Sequence, residues 1–221
     1  MRILHTADLH LGRQFDGISL EEDHDAILDQ IVRAIADHCV NVLVIAGDIF
    51  DRALPPGSAV HQFNAFLTRI EAETEAVVVM IAGNHDSGDR IAAMSVLADE
   101  RRSLIRGVAE ADEKPIIVKD RYGEVAISAL PFCYELTARA CFADESIQTP
   151  AAVLAAQIAS ARRHVPAAAR WVIVAHAFVS GAQGNDEACA PRVGGIETVP
   201  PEVFAGAQYV ALGHLHRPQT V

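Results

Sequence analysis

Five short apolar segments of the chain each run directly into residues that commonly bind metal ions. Their Val- and Ile-rich sequences, such as NVLVIAG and AVVVMIAG, are typical of buried β-strands. Segments with helical periodicity separate the first three, which predicts βαβ units and a largely parallel sheet in this half. Because loops at the carboxyl ends of parallel strands line one edge of a sheet, the polar residues there can converge. In chain order they are Asp8-Leu9-His10, Asp48, Asn84-His85-Asp86, His176 and His214-Leu215-His216.

The first half of the chain predicts two helices, over residues 19–39 and 55–73. In the first of these, Ser19 and Glu22 have the spacing of a capping box, which predicts that the helix begins at this point. Apolar residues then recur at helical period along both segments. The two helices would separate the first three strands.

The second half is richer in strands. Residues 115–132 predict two strands joined by a turn at residues 120–124. A helix is predicted from Thr149, with Pro150 at its first position. Two further strands follow, separated by a Gly- and Pro-rich loop over residues 180–201. Two packed sheets with helices outside fit this order better than one open sheet.

Composition limits the class of protein. The 221 residues suit one large domain, or one domain and a small lobe, with apolar residues at 51%. The formal net charge of -11 lacks the basic footprint of a typical nucleic-acid binder. No apolar run could span a bilayer, and MRILHTADLH is not a signal peptide, so a cytoplasmic location is expected. The cysteines are predicted to be isolated thiols in a reducing compartment; they are Cys39, Cys133, Cys141 and Cys189.

The polar residues at the strand ends combine carboxylates, imidazoles and one amide, without a thiolate. This mixture suits Mn, Fe or Zn rather than a structural cysteine-zinc site. Seven such residues, with one bridging carboxylate, suit two ions, and paired ions recur in the hydrolysis of phosphate esters. The predicted ligands are Asp8, His10, Asp48, Asn84, His176, His214 and His216.

Each of these motifs alone also has a structural interpretation. GNHD could form a tight turn, His176 could be a hydrogen-bonded core residue, and the GHLH histidines could share one strand face. The occurrence of all five at strand ends favours a metal site. The other histidines are given structural roles: His5 in the core, and His24, His38, His61 and His164 on solvated helix faces.

The blocks DLH, GDIFD, GNHD, AH and GHLH resemble the five signature blocks of the calcineurin-like metallophosphoesterases, over nearly the whole chain. MRILHTADLHLGRQF, VIAGDIFDRALPP, AGNHDS and VGGIETVPPEVF…QYVALGHLHRPQ are further similar to the SbcD-type DNA-repair nucleases of that superfamily. The resemblance implies an α/β fold, a four-layer α/β/β/α sandwich of two mixed sheets. It also implies that residues 1–221 are a nuclease core, with capping and partner-binding segments outside it.

The resemblance also implies roles for individual residues. Two Mn(II) ions would share Asp48, one held also by Asp8, His10 and His216, and the other by Asn84, His176 and His214. His85 would be the catalytic residue, facing the substrate and protonating the leaving 3′ oxygen. Asp51 and Asp86 would orient imidazoles, with loop capping as the alternative. In some relatives a histidine near Asp51 pairs with the catalytic histidine, but DIFDRALPP contains none. Phosphate contacts are considered for three arginines, with ordinary surface positions as the alternative: Arg13, Arg52 and Arg90.

The implied function is that of a Mn-dependent DNA nuclease in repair and recombination. It would be an exonuclease on double-stranded DNA and an endonuclease on single-stranded or hairpin DNA. The implied partner is an SbcC-like ATPase of the SMC family, and a homodimer is implied for the full-length protein. The alternatives are a small-molecule phosphodiesterase or phosphatase and an inactive scaffold, and the intact ligand set argues against the scaffold. Two divalent ions beside two ligating carboxylates would leave the site locally about +2 inside the acidic chain.

Overall fold

The computed structural model describes residues 1–96, 98–182 and 198–220. Most of the predicted loop of residues 180–201, with Cys189, lies outside these ranges. The other three cysteines, Cys39, Cys133 and Cys141, are free thiols, as expected from the sequence. None of the helices among the described residues combines the length and apolar character needed to cross a bilayer.

The first sheet has the strand order β1-β4-β5-β6, and all its neighbours are parallel. Its strands are β1 (Ile3–Thr6), β4 (Val42–Ala46), β5 (Val77–Ile81) and β6 (Ser103–Arg106). Every residue of β4 is buried, because β4 is an inner strand that is covered on both faces. The predicted parallel sheet of the first half is therefore observed.

The second sheet has the order β10-β9-β8-β7 and is mixed. Its strands are β7 (Ile116–Asp120), β8 (Gly123–Leu130), β9 (Arg170–His176) and β10 (Tyr209–Gly213). β8, β9 and β10 are parallel, whereas β7 pairs antiparallel with β8 through the predicted turn. The Asp120 carboxylate closes that turn by accepting the N–H of Tyr122 at 2.8 Å. A separate small hairpin joins β2 (Gln14–Phe15) and β3 (Ile18–Ser19).

Five α-helices lie in the described part of the chain: α1 (Glu21–Asp37), α2 (Gly57–Glu73), α3 (Gly88–Ala93), α4 (Glu135–Phe142) and α5 (Pro150–Arg162). α5 confirms its prediction, since Thr149 Oγ1 accepts the N–H of Ala152 at 3.2 Å. The predicted capping box of α1 is wrong. Ser19 belongs to the small hairpin, and its hydroxyl accepts the N–H of Glu21 at 3.3 Å instead of capping the helix.

Three apolar cores separate four layers, which confirms the predicted sandwich. Along β4, alternate residues face opposite sides: Leu43 and Ile45 pack against α1 and α2, while Val42 and Val44 pack against the second sheet. The outer face of the second sheet packs Trp171 and Ile173 of β9 against α5. The layers are therefore α1 and α2, the parallel sheet, the mixed sheet and α5.

Two of the histidines given structural roles depart from their predictions. His24 is buried rather than solvated, because it shares a helix face with Leu28 and Val32 of the core, at spacings of four and eight residues. His5 is half-buried and its Nδ1 lies 3.1 Å from Tyr209 Oη, as a hydrogen-bonded role requires. Two others are exposed as predicted, His38 and His61. His164 is the second exception, because it is half-buried in a turn after α5 rather than on a helix face, and its Nε2 lies 2.6 Å from Asp112 Oδ1.

Candidate metal centre

The candidate site lies at the carboxyl ends of strands from both sheets. Asp8, Asp48 and Asn84 follow β1, β4 and β5 of the parallel sheet. His176 is the last residue of β9, and His214 follows β10 in the mixed sheet. The site therefore spans the junction between the two sheets, and it forms only when the two halves of the chain pack together.

Four of the seven predicted ligands have a left-handed backbone conformation that non-glycine residues rarely adopt. The φ angles are 55° at Asp8, 46° at His10, 50° at Asp48 and 95° at His214. Backbone hydrogen bonds hold two of these turns, from Asp8 N to Gly47 O and from His10 N to Asp48 O, both at 3.0 Å. Such strain is concentrated at functional sites, where the surrounding structure maintains it.

Two glycines allow the strand ends to approach closely. A Cβ atom on Gly83 would overlap the carboxylate of Asp48. A Cβ atom on Gly213 would overlap the Ala46 carbonyl and lie 2.7 Å from His176 Nδ1. The glycines of GNHD and GHLH are therefore required because neighbouring main chains and site residues occupy the space of a side chain.

One group of potential ligand atoms consists of Asp8, His10 and His216, with all three atoms within 4.8 Å of one another. The two imidazole Nε2 atoms of His10 and His216 are 3.1 Å apart. The His214 N–H donates to both carboxylate oxygens of Asp8, at 3.0 and 3.1 Å, which fixes that carboxylate in place. These three residues match three of the four predicted for the first ion.

The second group consists of Asp48, His176 and His214, again within 4.8 Å. Asn84 joins it, with Oδ1 at 3.1 Å from His176 Nε2 and 2.9 Å from His214 Nδ1. The structure thus brings together all four residues predicted for the second ion. Their role as ligands stays a prediction.

Asp48 lies between the two groups. Its Oδ2 is 3.8 Å from His10 Nε2 and 3.4 Å from His176 Nε2, so the same oxygen faces both groups. Its Oδ1 instead accepts the backbone N–H of His85 at 2.9 Å. One oxygen of Asp48 is thus turned toward both groups, while the other is bonded to the main chain.

The chemistry of these atoms fits a cation. His176 Nδ1 donates to the Ala46 carbonyl at 2.8 Å, so the Nε2 of the neutral ring carries a lone pair. That lone pair points at two further acceptors, Asp48 Oδ2 and Asn84 Oδ1. Converging lone pairs in a buried site require a proton or a metal cation between them. A divalent ion bound to oxygen and imidazole ligands meets that requirement.

Burial and charge set the protonation of the ligands. Burial lowers the pKa of His10 to about 4 and that of His214 to about 4, so both rings are neutral at pH 7. Burial raises the pKa of Asp48, but its hydrogen bond and charge interaction with His176 outweigh this and lower it to about 2. Burial alone would lower the pKa of His176, but its hydrogen bond and charge interaction with Asp48 outweigh this and raise the pKa above its usual value. A bound cation would replace the proton that this pair shares.

His85 is exposed at the edge of the site. Its Nδ1 lies 2.9 Å from the Asp51 carbonyl oxygen and donates to it, which leaves Nε2 available on the other side of the ring. The ring stands edge-on to His10, at 4.8 Å and 89°. The Asp51 carbonyl thus takes the place of the partner histidine that some relatives have near this position and that is missing from DIFDRALPP.

The two predicted supporting carboxylates differ in their contacts. Asp51 Oδ1 lies 3.6 Å from His10 Nδ1, an atom that makes no hydrogen bond within the described residues. Asp86 accepts the N–H groups of Ile49, Phe50 and Gly83 at 2.9 to 3.1 Å, and it has no hydrogen bond or ion pair with an imidazole among the described residues. These contacts match the loop-capping alternative for Asp86. It is a loop-capping residue that ties GNHD to GDIF, because three N–H groups there need an acceptor.

The three arginines considered for phosphate contact lie in different settings. Arg52 is exposed and pairs with Asp51 at 3.7 Å. Arg90 is exposed on α3. Arg13 is half-buried in the turn after His10, and its N–H donates to the His10 carbonyl at 3.1 Å. Phosphate contact by any of them stays a prediction.

Comparison with known proteins agrees with this geometry. The family described as calcineurin-like phosphoesterase matches residues 1–135, which is more than half of the 221-residue chain. The chain belongs to the calcineurin-like phosphoesterase family.

Two curated relatives carry the name of the SbcD component of the nuclease SbcCD. The protein of Bacillus subtilis (strain 168) is 34% identical over 229 residues, which covers 100% of this chain and 58% of the relative. The protein of Rhodobacter capsulatus is 34% identical over 239 residues, which covers 100% of this chain and 59% of the relative. The chain thus spans less than two thirds of the length of these relatives.

Proposed function

We propose that residues 1–221 act as the catalytic core of a Mn(II)-dependent DNA nuclease that hydrolyses phosphodiesters with two metal ions. Asp8, His10 and His216 would hold one ion, and Asn84, His176 and His214 the other. Asp48 would contribute to both sites. The observation that carries the proposal is the position of Asp48 Oδ2, which faces an imidazole of each group at 3.8 and 3.4 Å.

Two divalent ions bound here would neutralise charge on the phosphate and lower the pKa of the attacking water. The protein residues contribute positioning and proton transfer. The Asp51 carbonyl fixes the ring of His85 with Nε2 free, and a proton on that atom can pass to the leaving 3′ oxygen. The Asp86 carboxylate ties the two loops that carry Asp48 and His85, so that their relative position is maintained.

The names of the relatives support nuclease activity and an SbcC-like partner. DNA as the substrate, and an ATPase of the SMC family as that partner, are proposed from the resemblance of the sequence blocks. On this basis the proposed activities are exonuclease action on double-stranded DNA and endonuclease action on single-stranded or hairpin DNA, in repair and recombination. A cytoplasmic location and a homodimeric complete protein belong to the same proposal.

The net charge of -11 favours one alternative, a small-molecule phosphodiesterase or phosphatase with the same site. An acidic surface repels an extended phosphate backbone, whereas the locally positive metal site would still attract a single phosphate. Two exposed arginines near the site, Arg52 and Arg90, support DNA because they could contact flanking phosphates.

Cleavage assays separate the two substrates. The 221-residue chain is incubated with Mn(II) and duplex DNA, single-stranded DNA or a generic phosphodiester, beside the His85→Gln variant. We expect DNA cleavage that depends on Mn(II) and falls by about 10²- to 10⁴-fold in His85→Gln, since a general acid typically contributes that much.

The matched control is His61→Gln, which removes an exposed histidine on α2 and should leave cleavage unchanged. Hydrolysis of the small ester without any cleavage of DNA would contradict the nuclease proposal and favour the alternative. DNA cleavage that is undiminished in His85→Gln would contradict the catalytic role of this histidine.

A further inference from the structure

A pocket of about 260 Å³, here called the side pocket, opens next to the candidate metal centre. It lies between the GNHD loop, the residues after β6 and the start of α4, and Asn84, Gly107, Phe132, Tyr134 and Thr137 contribute to its lining. Its volume lies just below the range of pockets that hold drug-sized ligands, so it suits a smaller group. None of the residue roles considered above uses it.

The side pocket adjoins the place where the reacting phosphate would lie. Asn84 lines the pocket and also faces His176 and His214 of the second ligand group, at 3.1 and 2.9 Å. Phe132 lines it as well, and its ring centre is 6.4 Å from that of His176. A substrate with its phosphate at the metal centre would therefore extend a neighbouring group into the pocket.

The lining does not suit an anion. Among the described residues it includes no lysine or arginine, whereas two carboxylates, Asp86 and Asp89, contribute to it. Asp86 already accepts three backbone N–H groups, and Asp89 is exposed. A second phosphate would thus find repulsion and no cation here. A neutral group with donors at its edge would find acceptors in Asp89 and the Thr137 hydroxyl.

An aromatic side chain at the edge of the side pocket has little role in the core. The side chain of Tyr134 is 51% exposed, although it is large and apolar. Phe132 packs edge-to-face with it, with ring centres 4.9 Å apart at 88°, which restrains the Tyr134 ring. Exposed, restrained aromatic rings next to phosphate sites are suited to stacking against nucleobases.

We propose that the side pocket receives the base of a nucleotide adjacent to the scissile phosphate, stacked against Tyr134. The inference rests on the proposed nuclease function and specifies its substrate. A base can enter the pocket only when it is unstacked from its neighbours, so the reacting strand is unpaired at this position. Stacking uses the face that every base has, so the pocket accepts different bases.

The test measures binding in the His85→Gln background with Mn(II), which retains the seven predicted ligands. Single-stranded oligonucleotides carry the fluorescent base 2-aminopurine at successive positions. We expect quenching of the fluorescence at one position. In Tyr134→Ala the quenching should be lost and binding should be about 5- to 150-fold weaker, the range that base–aromatic stacking implies. Tyr134→Phe, which keeps the ring, should retain both the quenching and the affinity.

Two controls make the result specific. Leu136→Ala changes a side chain that is 71% exposed, two residues from Tyr134, and does not line the pocket, so it should bind normally. An oligonucleotide without a base at the quenched position should bind equally well with and without the Tyr134→Ala substitution, because the group that stacks on the ring is missing. Equal weakening by Tyr134→Ala with and without the base would overturn the inference.

The two proposals can fail separately. If the unmodified chain cleaves DNA and Tyr134→Ala changes neither KM nor quenching, the base pocket is overturned and the nuclease function stands. If no oligonucleotide binds while the small ester is hydrolysed, both proposals are overturned.

Discussion

Glu113 is a buried carboxyl group whose titration should make the stability of this fold depend on pH. It is 2% exposed, and its Oε2 accepts a hydrogen bond from Arg106 Nε at 2.8 Å. The other oxygen has no hydrogen-bond partner within the described residues. Burial raises the pKa of Glu113 to about 7 from the usual 4.5, and the attraction of Arg106 only partly opposes this.

The sign and size of the effect follow from proton linkage. Between about pH 4.5 and pH 7 the folded chain holds a proton on Glu113 that the unfolded chain releases. The free energy of unfolding therefore falls as pH rises through this window. The difference between the two pKa values corresponds to about 3 kcal/mol in total, or about 1.4 kcal/mol per pH unit within the window.

The assay is reversible urea unfolding at pH 5 to 8 in EDTA, on the unmodified chain and on Glu113→Gln. We expect the unmodified chain to lose about 2.5 kcal/mol more than the variant over this range. The matched control is Glu110→Gln, which removes a carboxylate that lies 3.6 Å from the same Arg106 Nε but is 47% exposed. Glu110 raises the pKa of Glu113 much less than burial does, so this variant should have a slope close to that of the unmodified chain. Parallel curves for the unmodified chain and Glu113→Gln would show that Arg106 keeps Glu113 ionised, and would refute the reasoning.

Two further substitutions test buried hydrogen bonds by the same unfolding measurement. Asp86→Asn leaves one acceptor oxygen for three backbone N–H groups, so it should lower the free energy of unfolding by about 1–3 kcal/mol. An effect no larger than that of the exposed substitution Asp89→Asn would contradict the loop-capping role. Ser128→Ala removes the acceptor, at 3.0 Å, of the buried Trp171 Nε1–H and should also cost about 1–3 kcal/mol. Trp171 is the one tryptophan of the sequence, so its fluorescence reports unfolding. If Ser128→Ala lowers the free energy of unfolding no more than the exposed substitution Ser146→Ala does, this expectation is contradicted.

Much of the fold could be predicted because the inner strands are covered on both faces. Short apolar runs rich in β-branched residues, such as VLVIA and VVVMI, are typical of strands that are buried on both faces. The short elements had no such signal. α3 and α4 have six and eight residues, fewer than helical periodicity needs, and β6 has four. The start of α1 was placed two residues early because Ser19 pairs in a hairpin instead of capping the helix.

The candidate site could be predicted as a set of side chains but not as a set of bonds. The order of strands and the types of residue at their ends indicated that Asp8, Asp48 and His214 would meet, and the structure brings them together. Hydrogen bonds of main-chain groups cannot be predicted from residue types, because almost every residue carries the same N–H and C=O groups. Only the structure therefore shows that the Asp51 carbonyl accepts a hydrogen bond from His85. The same is true of the three backbone N–H groups that donate to Asp86.

The number of metal ions per chain tests the central claim most directly. Elemental analysis after dialysis against excess Mn(II) should give two ions per chain for the unmodified protein. Because one oxygen of Asp48 faces both ligand groups, Asp48→Asn should weaken both sites, whereas His216→Gln should remove one ion and leave the other. A single ion in the unmodified protein, or two ions retained with unchanged affinity in Asp48→Asn, would contradict the account.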